Sequence, residues 1–200
     1  MLSLLLLILC ILFMRAIHPI FSFNKWWGAA VIVFIIIFIT VRILESQWEK
    51  KQTWQVEFFD IGQGLAVLIK SDGETLLYDT GPSFPPYYTA ANAEILPYLQ
   101  MAGISQLDYL FVSHSDNDHA GGANSILNSV YVSKAYSGEA AVMNKKLSIN
   151  KMKHSELSYA QCLTGQLFQL GKLTVEVLSP TSVGNNDNNN SCVVRISDGI

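Results

Sequence analysis

The chain changes character near Glu45. Before it, apolar residues run almost without interruption; after it, short apolar runs alternate with polar turns. Residues 26–44, WWGAAVIVFIIIFITVRIL, carry a single charge, Arg42, near their end. That is close to the roughly 20 apolar residues a membrane-spanning helix needs. The paired Trp26 and Trp27 suit the interfacial zone of a bilayer. The pattern predicts a transmembrane helix over 26–44. Residues 1–14, MLSLLLLILCILFM, are apolar but form a shorter run. They have neither a positive leading segment nor a small-residue cleavage site, so they do not read as a signal peptide. They predict a helix over about 1–17, the tail of a longer span that starts outside the chain, closed by Arg15, His18 and Pro19. Residues 1–50 are thus expected to be transmembrane helices with a short linker.

From Trp54 the period shortens to that of strands. WQVEFFD (54–60) and LAVLIKS (65–71) read as strands joined through the turn IGQG. SDGE (71–74) signals a tight hairpin into a third strand, ETLLYDTG (74–81). Pro82, Pro85 and Pro86 predict an irregular loop. EILPYLQMA (94–102) reads as a helix stopped by Gly103, with Pro97 near its first turn, where proline is tolerated. LDYLFVS (107–113) reads as a buried strand and 124–130 as a helix. LTVEVLSP (173–180) and SCVVRIS (191–197) read as strands, separated by the polar loop NNDNNN (185–190). Strands outnumber helices and hairpins precede the first helix. That favours an α+β or layered α/β domain over a helical bundle.

Composition changes this picture little. The net charge of −3 argues against strong non-specific DNA binding, which neutralises many phosphates, so any nucleic-acid contact is local. Lys145, Lys146, Lys151 and Lys153 form a basic cluster, read as a solvated face. The three cysteines form no CxxC pattern, which argues against a thiolate zinc site. Cys162 and Cys192 are read as two buried free thiols, with pairing in an oxidising compartment as the alternative.

Candidate chemistry concentrates in FVSHSDNDHAGG (111–122). His114 and Asp116 are two apart, so both side chains can point the same way as the strand runs out. Asp118 and His119 follow on the turn. Four such donors on two sides of a turn suit two adjacent divalent metal ions, which clamp a phosphoester and acidify a bound water. Gly121 and Gly122 let backbone come close to a ligand. A solvated surface turn is the plainer reading, but two histidines with two aspartates after a buried strand exceed what a turn needs. Asp60 and Asp79, at strand ends, are candidates for supporting the metals, with turn caps as the alternative. His154, in a Lys-rich stretch, is read as solvated.

SHSDNDHAGG (113–122) resembles the HxHxDH signature of the metallo-β-lactamase superfamily, with Asp116 in place of the middle His. Its SHxDxDHxGG form resembles the C-terminal domain of the ComEC family of DNA-uptake membrane proteins. DIGQG (60–64) is similar to that family's DVGQGD, and LYDTG (77–81) to its LIDTG. ILPYL (95–99), with Gly103, Ile104, Leu107 and Asp108, is similar to its helix and following strand, and Asn190 and Ser191 to its NNSxVL step. The resemblance covers residues from about 55 to the end. It implies a layered α+β sandwich of metallo-β-lactamase type (αβ/βα), incomplete at the C-terminus, over residues 51–200 behind the transmembrane helices. It further implies a place in the inner-membrane channel that admits single-stranded DNA during natural transformation. Membrane lipid and other DNA-uptake components are the implied partners, and the soluble domain faces the extracytoplasmic side. The implied activity is two-metal hydrolysis of the strand that is not transported. A carboxylate at Asp116 makes the site harder and favours manganese or magnesium over zinc. His114 and Asp116 are expected on one metal and Asp118 and His119 on the other, with Asp118 also the general base on the attacking water.

Two departures matter. Leu65 stands where the family's DVGQGD ends in Asp. The family's later ligands, a bridging Asp and a further His, lie beyond its NNSxVL step. These 200 residues are therefore expected to hold half a site, as a fragment or truncated product inactive by itself. Two rival readings are a non-catalytic part of the channel and a membrane-anchored zinc hydrolase of thioesters or lactams. An unsubstituted HxHxDH would suit the second better.

Overall fold

Alternation along the strands decides which layer covers each face of the sheet. The structure, a computed structural model, describes residues 26–49, 54–149, 157–184 and 188–199. The chain divides between Gln52 and Thr53 into two compact units.

The first unit contains helix α1 (Trp26–Glu49). Its described side chains, 31–42, are mostly exposed apolar groups, among them Ile32, Val33, Ile36 and Ile37. That stretch is shorter than a membrane crossing, and among the described residues no helix is long and apolar enough to cross a membrane. The helix expected over 1–17 lies outside the described residues.

The second unit is built on a six-stranded mixed sheet. β1 (Trp54–Phe58), β2 (Val67–Ser71) and β3 (Glu74–Tyr78) are antiparallel neighbours. A small hairpin follows, β4 (Ser83–Phe84) with β5 (Tyr88–Thr89). A π-helical turn (Ala91–Ile95) runs into α2 (Leu96–Met101), which leads to β6 (Gln106–Val112), parallel to β3. Two short helices, α3 (Asn117–Ala120) and α4 (Ala123–Ser129), then lead to β7 (Tyr131–Ser137). Helix α5 (Ala140–Ile149) precedes β8 (Tyr159–Gln161), and β6, β7 and β8 are all parallel. The sheet order is β1-β2-β3-β6-β7-β8. A second, antiparallel sheet has the order β11-β10-β9, from β9 (Leu167–Leu170), β10 (Leu173–Ser179) and β11 (Val193–Ser197).

The two faces of the large sheet carry separate cores. Leu68, Leu77, Leu110 and Val112 pack with Ile95, Leu99, Ile126, Leu127 and Met143 from the helical segments. Val67, Ile69, Leu76 and Phe111 point the other way and pack with Leu170, Leu173, Val175 and Val177 of the second sheet. Because successive strand residues face opposite sides, neighbours such as Leu76 and Leu77 serve different cores. The described layers are therefore helices, sheet, sheet.

Two readings need correction. Cys162 and Cys192 are joined in a disulfide, not free, with Cα atoms 5.6 Å apart. The second sheet folds back over β6–β8, so β8's exit and β11's entry meet: Cys162 N–H donates to Ser137 O and Cys192 N–H to Ser113 O. The Pro-rich segment read as an irregular loop contains the β4–β5 hairpin. Ser83 pairs with Thr89 and Phe84 with Tyr88, leaving Pro85 and Pro86 in the turn, where they owe the ladder no N–H.

Candidate metal centre

Parallel strands deliver their carboxyl ends to one edge, the usual place for chemistry in such sheets. Here Asp79 directly follows β3, and His114 and Glu139 lie two residues beyond the ends of β6 and β7. Asp79 is fully buried and takes a left-handed backbone, φ 59°, an uncommon conformation outside glycine. The turn it opens is tied to the candidate motif. Asp79 N–H donates to Phe111 O at 2.8 Å, and Thr80 gives both N–H and Oγ1–H to His119 O.

Asp79 also organises the side chains. Its Oδ1 accepts Ser113 N–H at 2.6 Å, and its Oδ2 accepts Ser113 Oγ–H at 2.8 Å and faces His119 Nδ1 at 2.7 Å. A carboxylate only accepts, so His119 Nδ1 carries a proton. The same logic reaches His114. Ser113 has one hydroxyl proton and gives it to Asp79, so across its 3.0 Å contact with His114 Nδ1 it accepts. In its neutral form each imidazole therefore has Nε2 unprotonated. Each Nε2 faces one motif carboxylate: His114 to Asp116 Oδ2 at 3.4 Å, His119 to Asp118 Oδ2 at 3.5 Å. The two rings lie 4.4 Å apart. His114 is buried, whereas the Asp116 and Asp118 side chains are 51% and 39% exposed, so the donor set opens to solvent on its carboxylate side.

The hydrogen bond to Asp79 raises the His119 pKa above its ordinary value, with further pull from Asp118 and Asp116; burial opposes them and loses. Glu139 shows the opposite balance. Burial pushes its carboxyl up, but hydrogen bonds from Ser115 outweigh this, with help from Asn190 and His114, and hold it below the usual carboxylate range. Its Oε2 accepts Ser115 N–H at 2.7 Å, bracing the loop between His114 and Asp116.

A donor pair of imidazole Nε2 and carboxylate, repeated, with each Nδ1 tied behind, fits divalent metal ions. The four donors stand as two pairs rather than a closed cage: among the described residues no group of three or more His, Cys, Asp or Glu is poised to hold an ion. The other candidates fall elsewhere. Asp60 is exposed beyond β1, and no hydrogen bond links it to the four donors among the described residues. Gly121 and Gly122 bring backbone close to backbone: a Cβ would strike Ser83 N at the first and Thr80 O at the second. His154, Lys151 and Lys153 lie outside the described residues. Leu65, where the resembled family has an acid, donates its N–H to Asp118 O.

Glu139 and the bracing role of Ser113 were not legible in the motif. Glu139 follows an ordinary Ser-Gly turn. Ser191, whose Oγ lies 3.5 Å from His114 Nδ1, was flagged only as part of a resembling step. Gly138 shows how tightly these pieces meet: a Cβ there would strike Asn190 O, Ser113 O and Cys192 N.

Residues 59–159 match the family model described as Metallo-beta-lactamase superfamily. Recombination protein 2 of Haemophilus influenzae is 40% identical over 167 residues, covering 83% of this chain and 20% of that protein. Competence protein ComA of Neisseria gonorrhoeae is 32% identical over 145 residues, covering 72% of this chain and 18% of that protein. The chain thus spans about one fifth of the length of these curated relatives. Among solved structures, the metallo-beta-lactamase fold protein YhfI of Bacillus subtilis superposes with TM-score 0.47 at 19% identity, over 73% of this chain and 59% of that one.

Proposed function

Because this chain belongs to the metallo-beta-lactamase superfamily, we propose that it is part of a ComEC-type DNA-uptake protein whose two-metal site hydrolyses phosphodiesters of the strand that is not taken up. The observation that carries this reading is the pair of imidazoles with Nδ1 braced and Nε2 facing Asp116 and Asp118. The competence and recombination proteins among its relatives support the DNA-uptake role.

His114 with Asp116 and Asp118 with His119 are the residues that would hold the ions. When bound, divalent metals supply an acidified water and neutralise charge on the phosphodiester. Asp118, partly exposed beside His119, takes the proton of the attacking water. Asp79 fixes the tautomer and orientation of His119, and Glu139 fixes the loop between His114 and Asp116. Two carboxylates among four donors favour manganese or magnesium over zinc.

Two features support a placement. Along α1 the described apolar side chains, among them Ile32, Val33, Ile36 and Ile37, are exposed, as side chains facing lipid would be. The Cys162–Cys192 bridge suits an oxidising compartment. Together they support an anchor in the plasma membrane with the domain on its extracytoplasmic face.

A second reading, a non-catalytic part of the channel, is favoured by the open donor set. One experiment separates the two. The full-length protein is incubated with manganese and labelled single-stranded DNA. Cleavage that disappears in Asp118→Ala supports the enzyme; cleavage unaffected by that change removes Asp118 from the site, and wild-type inactivity with intact DNA uptake in an Asp118→Ala strain favours the channel part.

A further inference from the structure

Two cavities lie against the turn that carries the four candidate donors, though none of those donors lines either, and they share a wall. The larger is a cleft of about 670 Å³ under the β4–β5 hairpin, and the smaller, of about 190 Å³, lies between α3, α4, α5 and β8. Asn117, Gly121 and Asn124 line both. The wall is part of the motif itself, since Asn117 sits between Asp116 and Asp118 and its Oδ1 accepts Ser83 N–H at 3.3 Å.

The chemistry of the two cavities differs. The larger cleft is walled by Tyr87, Tyr88 and Pro86 and floored by Asn92, Asn117 and Asn124, and none of its lining side chains is charged. Tyr87 is 92% exposed at the hairpin turn, with Phe84 exposed beside it. Pro85 and Pro86 fix φ at two turn positions, which limits the backbone freedom of the hairpin that carries these aromatic faces. The smaller cavity is lined by Lys146 and Tyr159. Lys146 gives one proton to Ser115 O at 2.5 Å and keeps two. Tyr159 is buried, and its hydroxyl has no hydrogen-bond partner among the described residues. A buried hydroxyl without a partner calls for a ligand or a water. Burial pushes this phenol's pKa up, so it stays protonated and acts as a donor.

We propose that the two cavities form one groove for a nucleotide unit of a single strand, its base stacked on Tyr87 and Tyr88 over the asparagine floor and its phosphate beside Lys146 and Tyr159. Aromatic faces and amides take bases of any sequence; an ammonium and a phenolic donor take the anionic backbone. Duplex DNA does not offer its bases to such a platform. The proposal rests on the phosphodiester reading above, and names how that site receives its strand.

The test measures binding of a fluorescent thymidine 12-mer and of an abasic 12-mer of the same charge to the full-length protein without metal. Tyr87→Ala is expected to weaken the thymidine 12-mer about tenfold and leave the abasic one unchanged. Lys146→Gln is expected to weaken both alike and to reduce the salt slope by about 0.7. Tyr159→Phe, which removes only the hydroxyl, is expected to weaken both about threefold. Equal wild-type affinity for the two probes, no binding of either, or indifference to Tyr87→Ala overturns the groove. Manganese-dependent cleavage lost in Asp118→Ala, with affinity indifferent to Tyr87→Ala, keeps the nuclease and rejects the groove. Base-dependent, Tyr87-dependent affinity without cleavage keeps the groove and rejects the nuclease.

Discussion

The walls behind the two histidines are built differently. His119 leans on a fully buried carboxylate, Asp79, at 2.7 Å. His114 leans on neutral hydroxyls, Ser113 at 3.0 Å and Ser191 at 3.5 Å. The first wall comes from β3, the parallel neighbour of the strand that carries the motif. The second comes partly from the far end of the chain, held in place by a disulfide across the two sheets. One imidazole is thus braced by charge and local topology, the other by a cross-link and closure of the sandwich.

Removing the charged brace should have the largest effect. Asp79→Ala strands Ser113 and His119 around a buried void and is expected to lower stability by about 3–5 kcal/mol in urea titration. It should weaken manganese retention about 10–100-fold by metal analysis. Manganese retention like that of the wild type would show that His119 needs no brace.

Breaking the cross-link comes next. The bridged cysteines are 30 residues apart, and opening such a loop costs about 3–4 kcal/mol in the chain-entropy account. Cys162→Ser should show that loss in denaturant melts. It should also weaken retention at the His114 pair more than at the His119 pair; equal loss at both would erase the contrast.

Glu139→Ala removes the acceptor of Ser115 N–H, worth about 1–3 kcal/mol. Glu139→Gln keeps an acceptor and should recover most of the stability. If both variants melt like the wild type, Ser115 is held by something else.

The smallest effect is on pH dependence, read in metal-free protein under chelator. The folded-state pKa of His119 is raised above its ordinary 6.5. Protonated His119 therefore adds stability that is complete below pH about 6.5 and is lost as pH rises through the folded value. Asp79→Asn should flatten that part of the thermal-melt profile. An unchanged slope would assign it to another group.

The same contrast explains what could be read from the letters alone. Strands at 54–60, 65–71, 74–81 and 107–113 announced themselves by β-branched and aromatic runs, and all four form. So does the 94–102 helix, though Ala91–Ile95 winds as a π-turn before it. The motif side chains and Asp79 follow the ends of two adjacent parallel strands, β6 and β3, so local patterns reached them. Residues 131–172 gave no assignment, yet they supply β7, α5, β8 and β9. Those strands are short or alternate weakly, and the burial of Val132, Ala135 and Tyr159 is decided by packing with helical residues such as Ile126, Leu127 and Met143. Without them, nothing in the spacing of Cys162 and Cys192 could bring the thiols together, and nothing marked Glu139 as facing His114.

At Gly138 three stretches of bare main chain meet, with Asn190 O, Ser113 O and Cys192 N where a methyl would stand. A joint of this kind has no side chains to trim or enlarge. Its spacing is set by the van der Waals radii of peptide atoms, which no substitution rescales. Gly138→Ala would force the strand ends apart, and no milder replacement exists. An engineer cannot move these strand ends through this joint, and is left with the candidate donor atoms and the side chains behind them, Asp79, Ser113 and Glu139.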